Sequence, residues 1–266
     1  MSHYGNATYT VNKAKGGIHV WNYSEYDIKV LPVFFGLLLF AAVVIALLLR
    51  DKPRWMRRIP TALIAIALLF LEVLKQRWNA LGGFDPYMLP LHYCSLFAIL
   101  IPLAELCGGW LSRCLRPAVT AMAFVVSVAL YNCPGGIIDD ACELFGMQFK
   151  PTHSFLFHHL VVFYLLLVVM MRLITPRLRD VWTVGLIGAV YAAVAIPLSY
   201  LFDANYCNYL KSVIPFLEEL RLQYGQVAHA VIITLFITVG AMVGALIFTA
   251  IYRLIARCFP RNDSED

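Results

Sequence analysis

Two neighbouring stretches of the sequence place reactive side chains among apolar residues. Glu72 and Lys75 interrupt an apolar run, and the segment after the next turn contains His92, Cys94 and Ser95. Ionisable side chains are costly in the hydrocarbon of a membrane, so we treat them as functional candidates. A thiol activated by an imidazole base is a common nucleophile in acyl chemistry.

Further along the chain, other histidines supply candidate bases. His158 and His159 are adjacent, so about 100° separates them around a helix and only one is expected to face a given site. His229 and Asn205 are candidate substrate-binding residues. A metal site formed by His92, His158, His159 and His229 is the rival interpretation, but the sequence contains no HExxH or similar ligand spacing, so no metal is predicted.

Each candidate also has a structural interpretation. Glu72 and Lys75 are three positions apart, so they are expected to pair on one helix face. This pair either fixes its helix in the bundle or orients a histidine or a lipid headgroup. Cys94 follows His92 by two positions, about 200° around a helix, so both face one site only if the helix start near Pro90 is irregular. Cysteine in an apolar helix is also often a small packing residue.

The composition determines the class of protein. The 266 residues are 61% hydrophobic and only 14% charged. Apolar runs of roughly 17–25 residues recur, which is the length needed to cross about 30 Å of hydrocarbon. The net charge of +5 does not indicate nucleic-acid binding, because the basic residues cluster beside the apolar runs. We therefore predict an all-α, multi-pass protein of the cell membrane.

The apolar runs predict a bundle of seven transmembrane helices. Lys and Arg are more frequent in the segments after helices 1, 3, 5 and 7, which predicts an outside N-terminus and a cytoplasmic C-terminus. The predicted helices cover about 31–49, 61–81, 88–106, 117–131, 155–171, 181–201 and 226–252.

This topology predicts one domain and one polar chamber. The seven-helix domain covers 30–255, between an extracytoplasmic segment at 1–29 and a cytoplasmic tail at 256–266. The unusual polar residues then fall in the outer half of the bundle, while the inner half is expected to be close to purely apolar. A chamber open toward the outer side would accommodate them.

Three cysteines fall on the predicted outer side: Cys133, Cys142 and Cys207. A disulfide among them is plausible in an oxidising compartment, and its pairing is left open. Membrane lipids are the expected partners. No cofactor is predicted, and the oligomeric state is left open.

Several motifs together resemble the YwaF family of bacterial integral membrane proteins. They are Glu72-x-x-Lys75, the Leu89–Cys94 sequence LPLHYC, the histidines that open helix 5, and Asn205-Tyr206 after helix 6. The resemblance covers roughly 30–255. That family is similar to eukaryotic transmembrane acyltransferases that remodel ether phospholipids and, more distantly, to the androgen-induced family of lipid hydrolases.

The resemblance implies an intramembrane acyltransferase or acyl-lipid hydrolase acting at the outer leaflet. Cys94 would match the acyl-accepting cysteine, and His158 or His159 the helix-5 base. This chain has His-His where the family pattern has Ser-His. His92 would orient the headgroup or donate to the oxyanion, and the Glu72–Lys75 pair would position these groups.

The alternative function is non-enzymatic. The same chamber would serve a lipid- or ligand-binding protein or a small transporter. The sequence shows no inverted repeat, and seven helices divide unevenly into halves, which weighs against a transporter.

Overall fold

The computed structural model describes residues 25–134, 148–212 and 214–258. Within these ranges the regular elements are all helical, as the composition predicted. In chain order they are α1 (Glu25–Leu48), α2 (Arg54–Arg57), α3 (Ile59–Leu81), α4 (Phe97–Leu106), α5 (Gly109–Asn132), α6 (Phe149–Met170), α7 (Leu178–Phe202) and α8 (Pro215–Cys258).

The helix lengths and compositions are those of a multi-pass membrane protein. Six helical segments in the described ranges are long and apolar enough to cross a membrane, and a shorter apolar segment covers Tyr93–Leu106. Large apolar side chains are exposed along these helices; Leu47 and Val73, for example, are each 64% exposed. Lipid covers such surfaces in a bilayer, so their exposure is consistent with a membrane bundle.

The third predicted helix, 88–106, is wrong over its first part. Leu89 is extended (φ −60°, ψ 154°), and a short 3-10 turn at Tyr93–Leu96 leads into α4, which has only 10 residues. The cause is Pro90, which has no N–H for a helix and disfavours helical geometry in the residue before it. At 1.5 Å per residue, α4 is about 15 Å long, roughly half the hydrocarbon thickness.

Other helices also begin earlier than predicted, and the difference is six residues or more for α1, α5, α6 and α8. α5 begins at Gly109, and its Arg116 lies inside the helix because it pairs with a buried carboxylate. α6 begins at Phe149, before its histidines. α8 begins at Pro215 and includes the polar stretch before the last apolar run. It kinks at Gly225, whose φ of 84° favours glycine.

The described helices pack around three apolar clusters, one of them much larger than the others, with small residues at the closest contacts. Phe97, Met122 and Tyr164 are almost fully buried in the largest cluster. α7 and α8 approach closely at Gly188, where an added Cβ would lie 2.7 Å from Thr238 Oγ1. Small residues permit such contacts between membrane helices.

The bundle has two chemically different ends. We call the end where α3 finishes and α6 begins the histidine end, and the end where α3 begins and α6 finishes the arginine end. At the histidine end, Trp78 stacks on Phe149, with 5.1 Å between ring centroids. At the arginine end, Arg58 Nη2 donates to Ser112 Oγ over 3.2 Å.

The arginine end contains a buried ion pair, so the expectation of a nearly apolar inner half is wrong. The Glu105 carboxylate accepts hydrogen bonds from Arg116 Nε (2.7 Å), the Tyr164 hydroxyl (2.9 Å) and the Thr61 hydroxyl (2.8 Å). Arg116 Nη2 also donates to Ser112 Oγ over 3.1 Å. The network joins α3, α4, α5 and α6, and every charged group in it has a partner.

Candidate functional site

The site begins with a charged pair on α3. Lys75 Nζ lies 2.8 Å from Glu72 Oε2, which confirms the predicted pairing. Gln76 Nε2 donates to Glu72 Oε1 (2.7 Å) and to the carbonyl of Met88 (2.9 Å). Lys75 is only 8% exposed, so its ammonium is held inside the bundle. The pair therefore also anchors the segment that follows α3.

A tight turn directs that segment back over the end of the bundle. Gly83 has φ 91°, a geometry that favours glycine. The Asn79 side chain donates to the Asp85 carbonyl (3.0 Å) and accepts the Asp85 N–H (2.8 Å). The Asp85 carboxylate then accepts the N–H of Tyr87 over 2.9 Å. These bonds fix the direction of the chain toward His92 and Cys94.

His92 and Cys94 lie on an irregular stretch, not on a regular helix. His92 is extended (φ −78°, ψ 148°), and Cys94 is in the 3-10 turn that follows. The half-buried Cys94 carries a free thiol. The Lys75 ammonium acts electrostatically on both side chains. Because neither residue lies in an α-helix, the separation of about 200° expected from helix geometry does not apply to them.

His92 is held in a neutral form. Its Nε2 donates to the carbonyl of Tyr87 over 3.1 Å, and its ring contacts those of Tyr87 and Tyr206. Burial lowers the pKa of His92 below its ordinary value of 6.5, and the charges of Lys75 and Lys150 lower it further against the opposing effect of the hydrogen bond. At neutral pH the ring is therefore uncharged.

The two adjacent histidines of α6 have the same local geometry. His158 Nδ1 donates to the Ser154 carbonyl (2.7 Å), and His159 Nδ1 donates to the Phe155 carbonyl (2.8 Å). A carbonyl only accepts, so the lone pair of each ring is on Nε2. Both Nε2 atoms are buried, and neither has a hydrogen-bond partner in the described part of the chain.

The two rings nevertheless face different surroundings. His159 stacks on Phe155, with 4.0 Å between centroids, and meets the edge of Phe34 of α1 at 5.5 Å. The electrostatic neighbours of His158 include Lys75 and His153. His158 is therefore the α6 histidine that shares a charged neighbour with Cys94. Among the hydrogen bonds of the described residues, none joins the Cys94 thiol to either ring.

Asn205 and His229 organise the loop between α7 and α8. Asn205 Oδ1 accepts the N–H groups of Leu210 (2.9 Å) and Lys211 (3.2 Å). His229 is fully buried, and its Nε2 donates to the Asn208 carbonyl over 2.9 Å. Both side chains hold this loop against the bundle. They do not belong to the group of residues around Lys75.

Cys207, in the same loop, accepts two hydrogen bonds that the sequence did not predict. Its sulfur accepts the N–H of Tyr93 (3.1 Å) and the hydroxyl of Tyr191 (2.9 Å), and Tyr191 also donates to the Leu91 carbonyl (2.8 Å). Its φ of 47° is rare for a residue with a side chain. Burial raises the pKa of the Cys207 thiol. Cys207 was predicted only as a disulfide candidate, and the Asn-Tyr-Cys-Asn sequence, typical of a tight turn, was the only signal for these contacts.

Neither of the two described cysteines on the predicted outer side forms a disulfide. Cys133 and Cys207 are both free thiols, so they are not joined to each other. Cys142 lies outside the described residues. Within the described residues, no group of three or more His, Cys, Asp or Glu side chains is arranged to hold a metal ion.

The Lys75 ammonium acts electrostatically on both the Cys94 thiol and the His158 ring, whose buried Nε2 has no hydrogen-bond partner in the described structure. Lys75 is the shared neighbour, held by Glu72 from the same helix. A buried ammonium stabilises a thiolate or a developing oxyanion, and a buried lone pair accepts a proton. The arrangement therefore has the parts needed for nucleophilic acyl chemistry.

Comparison with known proteins gives a family. The sequence profile of the TMEM164 family, a transmembrane protein family, matches residues 23–243. No curated protein and no solved structure matches the chain. The matched region contains α3, the Cys94 segment, the α6 histidines and Cys207. The chain therefore belongs to the TMEM164 family.

Proposed function

We propose that this protein is an intramembrane acyl-lipid enzyme, an acyltransferase or hydrolase, that uses Cys94 as its nucleophile. The observation that carries the proposal is the shared charge. The Cys94 thiol and the His158 ring both lie in the field of the buried Lys75 ammonium, and His158 Nε2 has its lone pair unpaired within the described structure.

His158 is the better choice of base. Its Nδ1–H is held by the Ser154 carbonyl, so Nε2 is oriented as a proton acceptor. His159 has the same tautomer, but aromatic rings surround it on the side of α1. The ring of His158 must approach the thiol when substrate binds, as catalytic hydrogen bonds are often long or absent in free enzymes.

The proposed reaction has two steps. His158 Nε2 takes the thiol proton, and the Cys94 thiolate attacks the carbonyl carbon of a phospholipid ester. The ester C–O bond breaks, the departing lysolipid oxygen takes the proton from His158, and an acyl thioester remains on Cys94. Water or a second lysolipid then gives a proton to His158 and attacks the thioester, which releases Cys94.

Lys75 and Glu72 have supporting roles in this mechanism. The Lys75 ammonium stabilises the thiolate and the oxyanion of each tetrahedral intermediate. Glu72 keeps that ammonium in place, since the two groups are 2.8 Å apart. His92, whose ring contacts that of Tyr87, would contact the lipid headgroup, and Lys150 approaches the same Tyr87 ring at 5.9 Å. Asn205 and His229 act on the loop and have no direct role.

The proposed orientation puts the histidine end on the outer side of the cell membrane. The excess of Lys and Arg in the segments at the arginine end supports a cytoplasmic location for that end. The substrates would then be lipids of the outer leaflet. The resemblance to YwaF proteins and to ether-phospholipid acyltransferases supports lipids as the substrate class.

The test is turnover by the purified full chain in phospholipid vesicles. Release of lysolipid and transfer of a labelled acyl chain to added lysolipid are followed by mass spectrometry. Cys94→Ser is expected to abolish both signals, while Cys107→Ser, which changes another half-buried free cysteine, keeps them. Equal turnover by wild type and Cys94→Ser would reject the mechanism.

A non-enzymatic lipid-binding protein is the second candidate. The observation in its favour is that no hydrogen bond joins the Cys94 thiol to His158 or His159 among the described contacts. In that case lipid would bind near Lys75 without turnover. Substitution of Lys75 would then weaken lipid binding, and the Cys94→Ser variant would bind lipid as the wild type does.

A further inference from the structure

Two apolar grooves run along opposite sides of α7. The first lies between α4 and α7 and has a volume of about 350 Å³. It is lined by apolar side chains from both helices and from the preceding segment, including Leu91, Leu96, Ile99, Leu186, Val190 and Val194. We call it the α4–α7 groove.

The second groove lies between α7 and α8. Its volume is about 450 Å³, and its lining includes Ala192, Ile196, Tyr200, Val231 and Thr234. We call it the α7–α8 groove. The two grooves are similar in size, are mostly apolar and share one helix. They differ in the residues at their ends, so the second groove can serve as a control for the first.

The α4–α7 groove can hold only an apolar chain. Its α7 residues extend from Leu186 to Val194, which is about 12 Å along the helix. Leu186 and Val190 are 64% and 57% exposed on a helix long enough to span the membrane, so lipid hydrocarbon is what covers them. Polar ligands without partners are excluded from such surroundings.

One end of this groove meets the candidate catalytic segment. Leu91 and Leu96 line the groove, and Cys94 lies between them in the chain. Tyr191 also lines the groove, and its hydroxyl donates to the carbonyl of Leu91 and to Cys207 Sγ. The first bond joins the wall of the groove to the Leu91 carbonyl, which precedes Cys94 by three residues. The α7–α8 groove has no lining residue from that segment.

We propose that the α4–α7 groove binds the acyl chain that is transferred, with its ester end toward Cys94 and its methyl end toward Leu186. This inference rests on the proposed function, which it extends by naming the part of the substrate that is recognised. The groove has a volume of about 350 Å³, and Leu100 and Leu186 are among its lining residues. A chain that fills this volume is expected to bind better than one that leaves part of it empty.

The first experiment measures chain-length preference. Purified full-length protein in nanodiscs receives a mixture of a short-chain and a long-chain alkynyl phospholipid, and acyl transfer from each is quantified. Val190→Trp fills the α4–α7 groove. Val231→Trp is the matched control in the other groove, because Val231 is 54% exposed against 57% for Val190.

Val190→Trp is expected to lower the ratio of long-chain to short-chain transfer by at least about tenfold, since each buried methylene contributes about a fourfold factor. Val231→Trp leaves the ratio at the wild-type value. An unchanged ratio in Val190→Trp, with turnover retained, overturns the groove assignment and leaves the Cys94 mechanism standing.

A second experiment needs no turnover. A phosphatidylcholine with a diazirine in the middle of one chain is added as a trace lipid and photolysed, and the labelled peptides are identified. Preferential labelling of α4 and α7 groove peptides, lost in Val190→Trp and kept in Val231→Trp, supports the site even if Cys94 proves inactive. Equal labelling of both grooves, unchanged by Val190→Trp, overturns it.

Discussion

The two ends of the bundle both bury ionisable side chains, but they satisfy them differently. At the arginine end, the Glu105 carboxylate accepts hydrogen bonds from three side chains, and its partner Arg116 makes further bonds of its own. At the histidine end, His158 and His159 each leave a buried Nε2 without a partner in the described chain. Buried polar atoms whose hydrogen bonds are all made stabilise the fold. A buried lone pair without a partner can instead accept a hydrogen bond from a ligand or bind a proton.

The largest effect on stability is expected at the arginine end. Glu105→Ala leaves the buried Arg116 guanidinium without its counter-charge, which costs about 3–5 kcal/mol. Thermal unfolding in detergent, followed by size-exclusion chromatography, measures the loss. Glu219→Ala, at an exposed position of α8, is the control and stays close to wild type. A small effect of Glu105→Ala on the unfolding temperature would mean that the network does not stabilise the fold.

A large effect on activity with little effect on stability is expected at the histidine end. His158→Phe keeps a ring but removes the lone pair, so acyl transfer falls by about 100-fold or more. His159→Phe retains most of the activity, since its ring already packs among aromatic side chains. Initial rates of both variants in the same vesicles test the choice. The reverse order of activities would make His159 the base.

An intermediate effect is expected where the loop meets the Cys94 segment. Tyr191→Phe removes the hydroxyl that donates to Leu91 and Cys207, at a cost of about 1–2 kcal/mol for the acceptors left behind. Alkylation of Cys207 by a membrane-permeant maleimide should become faster. Tyr200→Phe, a half-exposed position on the same helix, is the control. An unchanged alkylation rate in Tyr191→Phe would show that this hydroxyl does not protect the sulfur.

The smallest effect concerns pH. The pKa of His92 is lower in the folded protein than its ordinary value of 6.5, because burial and the charges of Lys75 and Lys150 oppose protonation. The unfolded chain therefore binds more protons, so the contribution of His92 to stability is present above pH 6.5 and decreases as the pH falls below it. Unfolding temperatures between about pH 8 and about pH 5 should fall less steeply in His92→Gln than in wild type. Parallel curves would contradict the prediction.

Local sequence rules predicted the class of fold and the contact between Glu72 and Lys75. The lengths of the apolar runs predicted the long helices, and the spacing of Glu72 and Lys75 predicted the contact between their side chains. The rules also identified Pro90 as the point where a helix could become irregular. The structure shows that it does, since the first part of the predicted third helix is extended and 3-10.

These rules could not predict contacts between residues that are far apart in the sequence. Glu105 and Arg116 are 11 positions apart on different helices, and Tyr164 is 59 positions from Glu105. Cys207 and Tyr93 are separated by 114 positions. No periodicity links such residues, because tertiary packing alone brings them together. The choice between His158 and His159 likewise depended on which neighbouring helices each ring faces.

The most direct test of the account is the identification of an acyl group on Cys94. Wild-type protein is incubated with an alkynyl phospholipid, stopped in acid and digested, and the cysteine peptides are analysed by mass spectrometry with and without hydroxylamine. We predict a hydroxylamine-sensitive acyl group on the Cys94 peptide that is absent in Cys94→Ser and reduced in His158→Phe. Acyl transfer that continues with Cys94 unmodified, or with the acyl group on Cys207 instead, would contradict the central claim.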